Sequence, residues 1–284
     1  MEFWLTQAFN GISYGAMLFL LASGLSLIFG VMRIVNLAHG SYFLLGGYVA
    51  LTVIWTTGSW ALALIAAALS IAVVGLLMER IFLRPLGFDP LRQVLLTVGF
   101  AFLFQQAALD IWTGNNFDIN PPDALTRSIV VGGLYLPLYR IFMIATALVI
   151  GLALWLVMEK TRMGAAVRAT VDDAQMARGV GIDTSRISML IFGLGAFLAA
   201  LGGVIGGAFL GIYPGLDFEI LPLAFAVVII GGMGSLGGAA IGALLVGLAD
   251  NFGKALFPEI SYFTLYAPMA LILAVKPTGL FGRE

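Results

Sequence analysis

The stretch ALALIAAALSIAVVGLLM, from Ala61 to Met78, decides the fold class of this chain. Apart from Ser70 and Gly75 it contains only alanine, branched aliphatic residues and methionine. Its length is close to the roughly 20 residues that an α-helix needs to cross the hydrocarbon core of a bilayer. A second uninterrupted run, Ile187 to Leu210, has the same character. These runs predict transmembrane helices.

The composition of the 284 residues agrees with this prediction. Hydrophobic residues make up 61% and charged residues 10%, whereas a soluble domain carries about 25% charged residues. The absence of cysteine excludes disulfides, thiolate metal sites and cysteine nucleophiles. A net charge of −1 gives no reason to expect a nucleic-acid partner. We therefore expect a single membrane domain over residues 1–284, surrounded by lipid.

The order of apolar runs and polar breaks predicts an all-α polytopic membrane protein with about nine spans, within a range of eight to ten. The predicted segments are 8–31, 41–57, 60–78, 93–112, 141–158, 187–210, 220–233, 236–252 and 262–275.

The distribution of Lys and Arg orients these spans, because basic residues near span ends are retained in the cytoplasm. Eleven of the fourteen basic residues fall on one side, namely Arg33, Arg80, Arg84, Arg92, Lys160, Arg162, Arg168, Arg178, Arg186, Lys276 and Arg283. The other side has three basic residues and eight acids, Asp217 and Glu219 among them. The pattern predicts an outer N-terminus and a cytoplasmic C-terminus.

Two polar segments are long enough to have structure of their own. Residues 113–137, rich in Asn, Pro and Gly, are typical of an external loop or short hairpin. Residues 159–186 are predicted to be cytoplasmic, with a surface helix over 164–177 that ends at Gly179 and Gly181. A helical segment in a protein with so few loops favours a docking surface.

Glycine marks a predicted interruption between the last spans. The run Gly231-Gly232-Met233-Gly234-Ser235-Leu236-Gly237-Gly238 should break a helix within or beside the membrane. Broken helices at membrane depth often line a cavity. The run is either part of the transport path or gate, through Gly232, Met233 and Ser235, or a tight turn between two packed helices. Elsewhere, glycines four residues apart, such as Gly11 and Gly15, predict closely packed helices.

A compact polar stretch, Arg33 to Ser41, separates the first two spans. One interpretation is a cytoplasmic turn in which Asn36 and Ser41 cap the helix ends. The other is a gate or coupling role for Asn36, His39 and Ser41. The sequence leaves both open.

Catalysis and autonomous pumping are both disfavoured by the residues present. There is one histidine, His39, and no carboxylate pair beside it to form a metal site or a triad. The phosphate-binding motif G-x-x-x-x-G-K-[ST] is absent; its nearest approach, Gly253-Lys254-Ala255, lacks the first glycine and the final hydroxyl residue. Asp110 and Asp250 are the candidates for an intramembrane acid, and both lie near predicted outer ends, which disfavours ion-coupled transport.

Three ordered motifs resemble the high-affinity branched-chain amino acid permeases of ABC importers, of the LivH type. The resemblance covers essentially the full length of the chain. The motifs are Asn10 to Ala16 followed by Ala22 to Gly40, Gly164 to Ala169 running on to Ala177–Asp183, and Ile230 to Gly238.

The resemblance implies a non-enzymatic subunit of the bacterial inner membrane that moves Leu, Ile or Val by alternating access. It implies four kinds of partner: a related LivM-like permease, two cytoplasmic ATPases, an extracytoplasmic solute-binding protein and the small-molecule substrate. The chain itself is expected to hold no cofactor, with ATP and Mg²⁺ on the ATPases. Related importers carry other amino acids, urea, short amides or aromatic acids, so these cargoes remain alternatives, as does a stand-alone channel or ion-coupled carrier.

The resemblance also assigns the inner loop as the element that docks on the ATPase. The residues matching that element are Gly164, Arg168, Ala169, Asp172, Ala177, Gly181 and Ile182.

Overall fold

A computed structural model describes residues 2–87 and 89–282 of the chain. Over these residues the protein forms eleven α-helices and one β-hairpin. The helices are α1 (Glu2–Met32), α2 (His39–Thr57), α3 (Trp60–Met78), α4 (Pro90–Trp112), α5 (Leu138–Lys160), α6 (Arg162–Asp172), α7 (Ala174–Gly179), α8 (Thr184–Leu210), α9 (Leu216–Gly231), α10 (Leu236–Leu256) and α11 (Ser261–Val275). The strands are β1 (Ser128–Val131) and β2 (Leu134–Pro137).

Each of the nine predicted apolar segments coincides with one helix, with ends shifted by a few residues. In the described part of the chain, six of these helices are long and apolar enough to cross a membrane: α1, α3 with its extension to Leu86, α4, α5, α8 and α10. The other three, α2, α9 and α11, have 19, 16 and 15 residues. The helical membrane architecture is therefore present, and the count of nine spans stays a prediction.

Helices α1 and α8 form the centre of the bundle, and α4 and α5 lie at its periphery. In the most apolar window of each helix, 72% and 78% of α1 and α8 is buried, against 17% and 22% of α4 and α5. Glycines allow α1 and its neighbours to approach backbone to backbone, as at Gly24 against Gly195 and at Gly15 against Ala243. The predicted glycine-mediated packing is confirmed, since a methyl group at either position would overlap the facing backbone.

The connection between α1 and α2 folds back into the bundle. His39, the first residue of α2, places Nε2 within 2.9 Å of the Leu21 carbonyl oxygen. Leu21 lies three turns before the end of α1 at Met32, about 16 Å along the axis at 1.5 Å per residue. Helix α2 thus begins well inside the protein.

The connection between α8 and α9 enters from the opposite end. The Ile212 side chain lies against Gly47 and Gly207, and the carbonyl oxygen of Asp217, in the first turn of α9, faces Gly40 in the first turn of α2. The connection between α8 and α9 therefore runs from the level of Gly47 to that of Gly40. Helices α2 and α9, which the chain enters from opposite ends of the bundle, begin side by side.

Residues 113–137 contain the β-hairpin. Strands β1 and β2 pair in antiparallel register from Ser128↔Pro137 to Val131↔Leu134. Upstream of them, Phe117 and Ile212 exchange backbone hydrogen bonds of 2.8 and 2.7 Å. This segment is thereby fixed to the α8–α9 connection.

Candidate functional site

The first turns of α2 and α9 bring polar groups together inside the bundle. Asn36 and His39 are 0% exposed and Ser41 is 1% exposed. The Asn36 Oδ1 atom accepts a hydrogen bond from the Ala38 amide at 3.1 Å. Because the Leu21 carbonyl can only accept, His39 donates from Nε2, and its Nδ1 is left as an acceptor without a partner. We call this region, residues 36–41 together with Asp217 of α9, the helix junction.

Asp217 completes the helix junction from the side of α9. Its side chain is 2% exposed, and its Oδ2 accepts a hydrogen bond of 2.9 Å from Ser41 Oγ. The backbone amides of Asp217 and Phe218 also face the carboxylate, while Oδ1 has no hydrogen-bond partner. The buried Tyr48 hydroxyl, two turns beyond Ser41 on α2, also has no hydrogen-bond partner.

The structure corrects two sequence interpretations here. The sequence places Asp217 among the acids of an outer loop and offers Asp110 and Asp250 as candidate intramembrane acids, but the structure buries Asp217 in α9. Hydropathy starts the apolar run at residue 220, which puts an acid three residues earlier outside the predicted helix. An acid in the first helical turn is favoured by the helix dipole, and that signal could have identified it.

The capping interpretation of Ser41 is also wrong. Helix α2 begins at His39 with no side-chain cap, so Ser41 lies inside the helix and donates to Asp217 rather than to its own backbone. Asn36 does bond the adjacent backbone, at Ala38, but as a buried group rather than in a surface turn.

The glycine turn, residues 231–238, separates α9 from α10. Ser235 caps α10 by accepting a hydrogen bond from the Gly238 amide at 3.0 Å, and its carbonyl accepts from Ser26 Oγ of α1 at 3.3 Å. Gly232 has φ +101°, and a Cβ there would overlap the backbone of Gly282. This is the tight-turn geometry that the sequence allowed, with α1 on one side and residues 279–282 on the other.

An apolar groove of about 230 Å³ lies beside the glycine turn. Its walls come from α1, the α1–α2 connection, α9 and the exposed Met233, and the lining residues are Leu25, Phe29, Val35, Phe225, Val228, Ile229 and Met233. The predicted path residues thus fall into two groups. Asn36, His39 and Ser41 lie at the helix junction, whereas Gly232, Met233 and Ser235 lie farther along α1. The groove borders the second group through Met233, and its lining includes neither residues 36–41 nor Asp217.

The predicted docking loop folds as two short helices rather than one. Helix α6 ends at Asp172, and Asp173 then caps α7 by accepting hydrogen bonds from the Gln175 and Met176 amides at 2.8 and 2.9 Å. The single helix predicted over 164–177 is therefore wrong. Asp173 favours the break, because an aspartate that bonds the following backbone starts a new helix better than it continues one.

Helix α6 is held tightly against the end of α5. Gly164 packs on the carbonyls of Val157 and Met158, where a side chain would not fit. Arg168 donates to the Met158 carbonyl and forms an ion pair with Glu159 at 3.7 Å. The charged end of α5 and the start of α6 therefore form one rigid corner.

The remaining predicted docking residues occupy different environments. Ala169 is half-buried and accepts a hydrogen bond from the Asp173 amide, Asp172 is exposed at the end of α6, and Ala177 is buried. Gly181 has φ +90°, and the Ile182 amide bonds the Ala177 carbonyl at 3.0 Å.

An apolar cluster joins the predicted docking loop, residues 159–186, to the transmembrane helices. Val167 of α6 and Ile182 pack with Leu27 of α1 and with buried residues of α5 and α8. Leu236, the first residue of α10, belongs to the same cluster. Displacement of α6 would therefore act on α1 and on the glycine turn.

The basic residues of the docking loop share one end of the bundle with those after α3. Arg84 donates to the Ser185 carbonyl at 2.9 Å and pairs with buried Glu79 at 3.3 Å. Arg186 lies one residue along from Ser185. Arg283, which also entered the orientation argument, lies outside the described residues. At the start of α5 and the end of α10, Arg140 bonds Asn10, and Lys254 pairs with Asp250 at 2.7 Å.

No group of three or more His, Cys, Asp or Glu residues that could hold a metal ion occurs in residues 2–87 and 89–282.

Comparison with known proteins gives matches along the whole chain. The family model of the branched-chain amino acid transport system permease component matches residues 7–273. The high-affinity branched-chain amino acid transport system permease protein LivH of Salmonella typhimurium is 32% identical, covering 99% of this chain and 96% of the relative. The corresponding protein BraD of Pseudomonas aeruginosa is 30% identical with the same coverage.

A ribose import permease protein of Escherichia coli is 30% identical, over 44% of this chain and 41% of its own length. No solved structure matches the chain.

Proposed function

This chain belongs to the family of permease components of branched-chain amino acid transport systems, and on that premise we propose that it is a membrane-spanning subunit of an ATP-driven importer for Leu, Ile and Val. The observation that carries the proposal is the match over residues 7–273 together with relatives that cover nearly the whole chain. The subunit provides the passage and performs no covalent chemistry.

Energy enters through the docking loop, residues 159–186. The loop receives the movement of a cytoplasmic ATPase, which holds ATP and Mg²⁺ on its own chain. The rigid corner at Gly164 and Arg168 and the cluster with Leu27 and Leu236 support this assignment, because they join the loop to α1 and α10. ATP binding then shifts the helices between outward-open and inward-open states through differential contacts with the loop.

The assembly contains a second, related permease, two ATPases and a solute-binding protein on the outer face. The proposed orientation is supported by the basic residues of the loop 159–186 and by Arg84, which contacts Ser185 at the same end of the bundle. On this arrangement the subunit lies in the inner membrane with residues 113–137 outside.

A decisive test is uptake by the reconstituted importer in liposomes. We expect leucine uptake only with ATP, with the binding protein and with an active ATPase. Uptake that persists with a catalytically dead ATPase would instead establish a stand-alone channel or an ion-coupled carrier.

The cargo is tested separately from the architecture. The partial match to a ribose import permease supports an importer of small solutes independently of which solute is carried. We expect Leu, Ile or Val to raise the melting temperature of the partner binding protein. A shift produced instead by urea, a short amide or an aromatic acid would keep the importer and replace its substrate.

A further inference from the structure

We propose that the Asp217 carboxylate receives the ammonium group of the amino acid as it crosses the subunit. The inference rests on the proposed function and adds a residue and a chemical group to it. In the closed arrangement described here, Asp217 and Ser41 hold the first turns of α9 and α2 together. When those turns separate, the freed carboxylate is offered to the cargo.

Asp217 differs from the other buried acids in its lack of a basic partner. Glu79 pairs with Arg84 at 3.3 Å, and Asp250 pairs with Lys254 at 2.7 Å. Within the described residues, no Lys, Arg or His forms an ion pair with Asp217. A carboxylate without a neutralising charge is costly to bury, and an acid inside a membrane protein without a basic partner is a candidate functional group.

The free oxygen of Asp217 suits an ammonium ion. Asp217 Oδ1 is buried and has no hydrogen-bond partner. A carboxylate oxygen accepts hydrogen bonds, and a primary ammonium offers three donors. The first turn of α9 contributes roughly half a positive charge, which leaves the site with a net negative charge. A ligand whose only charged group is a carboxylate would be repelled from the same position.

The apolar groove is a separate position on α9. It begins at Phe225, eight residues beyond Asp217 and about 12 Å along the helix axis, which is farther than one leucine molecule reaches. The role proposed for Asp217 therefore concerns the ammonium group alone.

The residues that follow Asp217 in sequence lie on the surface of the subunit. Phe218 is 41% exposed and Glu219 is exposed, whereas Asp217 between α9 and α2 is closed off. A small separation of the two first turns would therefore expose the carboxylate without unfolding either helix.

The test uses the complete importer in liposomes with the variants Asp217→Asn, Asp217→Glu and Glu219→Gln. Glu219→Gln is the matched control, because it removes a carboxylate from the same helix at an exposed position. We expect Asp217→Asn to lower leucine uptake about tenfold or more while ATP hydrolysis continues, Asp217→Glu to restore part of it, and Glu219→Gln to stay within about twofold of the original.

A second measurement separates binding from helix packing. The purified assembly without its binding protein is melted with leucine, 3-methylbutylamine or 4-methylpentanoate. We expect leucine and the amine, but not the acid, to raise the melting temperature of the original and of Glu219→Gln, and neither to raise that of Asp217→Asn. If Asp217→Asn does not assemble, the amine-versus-acid comparison on the original protein decides.

The outcomes distinguish a failure of the proposed importer function from a failure of the role proposed for Asp217. Absence of ATP-dependent uptake by the original importer contradicts the proposed function. Normal uptake by Asp217→Asn, or an equal shift by the amine and the acid, overturns the role of Asp217 and leaves the importer standing.

Discussion

The helix junction and the glycine turn both interrupt the helical bundle, but they do so in opposite ways. At the junction, polar side chains fill the interior, and several of their atoms lack partners. At the glycine turn, side chains are missing, and backbone packs on backbone at Gly231, Gly234 and Gly238. The helix junction therefore keeps polar groups without hydrogen-bond partners inside the protein, whereas the glycine turn has no side chains where α9 and α10 must pack closely.

The largest effect is expected from a side chain added to the glycine turn. Gly232→Ala places a Cβ against the Gly282 backbone at φ +101°. Left-handed strain of roughly 1–2 kcal/mol adds to overpacking of about 1–3 kcal/mol. We expect a marked loss of melting temperature in detergent-solubilised protein.

The matched control lies in the same turn. A Cβ at Gly237 meets nothing within 4 Å, and its φ is not positive. Gly237→Ala should therefore melt like the original. Equal losses in the two variants would show that close packing does not distinguish the turn.

The next largest effect tests the junction. Ser41→Ala removes the hydrogen bond to Asp217 Oδ2 and leaves that oxygen without a side-chain donor, which costs about 1–3 kcal/mol for a buried acceptor. Ser23→Ala is the control, because the buried Ser23 hydroxyl bonds the Leu20 carbonyl of its own helix. The melting temperature of Ser41→Ala should be clearly lower than that of Ser23→Ala. The reverse order would show that the bond between Ser41 and Asp217 does not stabilise the junction.

A third prediction asks whether the docking loop acts on the helical bundle through α6. Arg168→Ala removes the contacts to the Met158 carbonyl and Glu159 that hold α6 in its corner. We expect stimulated ATP hydrolysis to continue while uptake per ATP falls several-fold, about 1 kcal/mol of lost coupling.

Arg162→Ala changes an exposed arginine in the same helix and serves as control. The measurement is the ratio of leucine uptake to ATP hydrolysed. An unchanged ratio in Arg168→Ala would remove α6 from the coupling route. Asp172→Ala and Gly181→Ala, on the same loop, should also lower the ratio.

The smallest effect is expected at Ser26. Ser26→Ala removes a single hydrogen bond of 3.3 Å to the Ser235 carbonyl, worth about 0.5–1.5 kcal/mol. Melting should barely change, while amide hydrogen exchange over 231–238 should quicken. Unchanged exchange would show that α1 does not restrain the glycine turn through this bond.

Hydropathy predicted the helices well because long apolar runs have few alternatives to a buried helix. Each of the nine runs became a helix, and the glycine spacing predicted the close contacts of α1. Composition also nominated Asn36, His39 and Ser41, since polar residues between apolar runs stand out.

The position of those residues could not be predicted, because hydropathy does not say where a helix begins relative to its neighbours. The bond between Ser41 and Asp217 joins residues 176 positions apart, and no local pattern encodes such a pairing. Likewise, the sequence places Asp217 in a loop, whereas in the structure it lies in the first turn of α9, beside the start of α2. The helical segment within residues 159–186 predicts a docking surface because the protein has so few loops, but the break at Asp173 depends on one capping geometry.

The hydrogen bonds between Phe117 and Ile212 make residues 113–137 a suitable attachment point for an antibody fragment. In a subunit of 30.1 kDa with little mass outside its helices, electron microscopy needs a rigid handle for particle alignment. An antibody fragment against residues 113–137 would supply one, since the Phe117 backbone is fixed to the connection that leads into α9. The same fragment would favour one conformer of that connection, and so serve as a reagent for trapping a single state of the transport cycle.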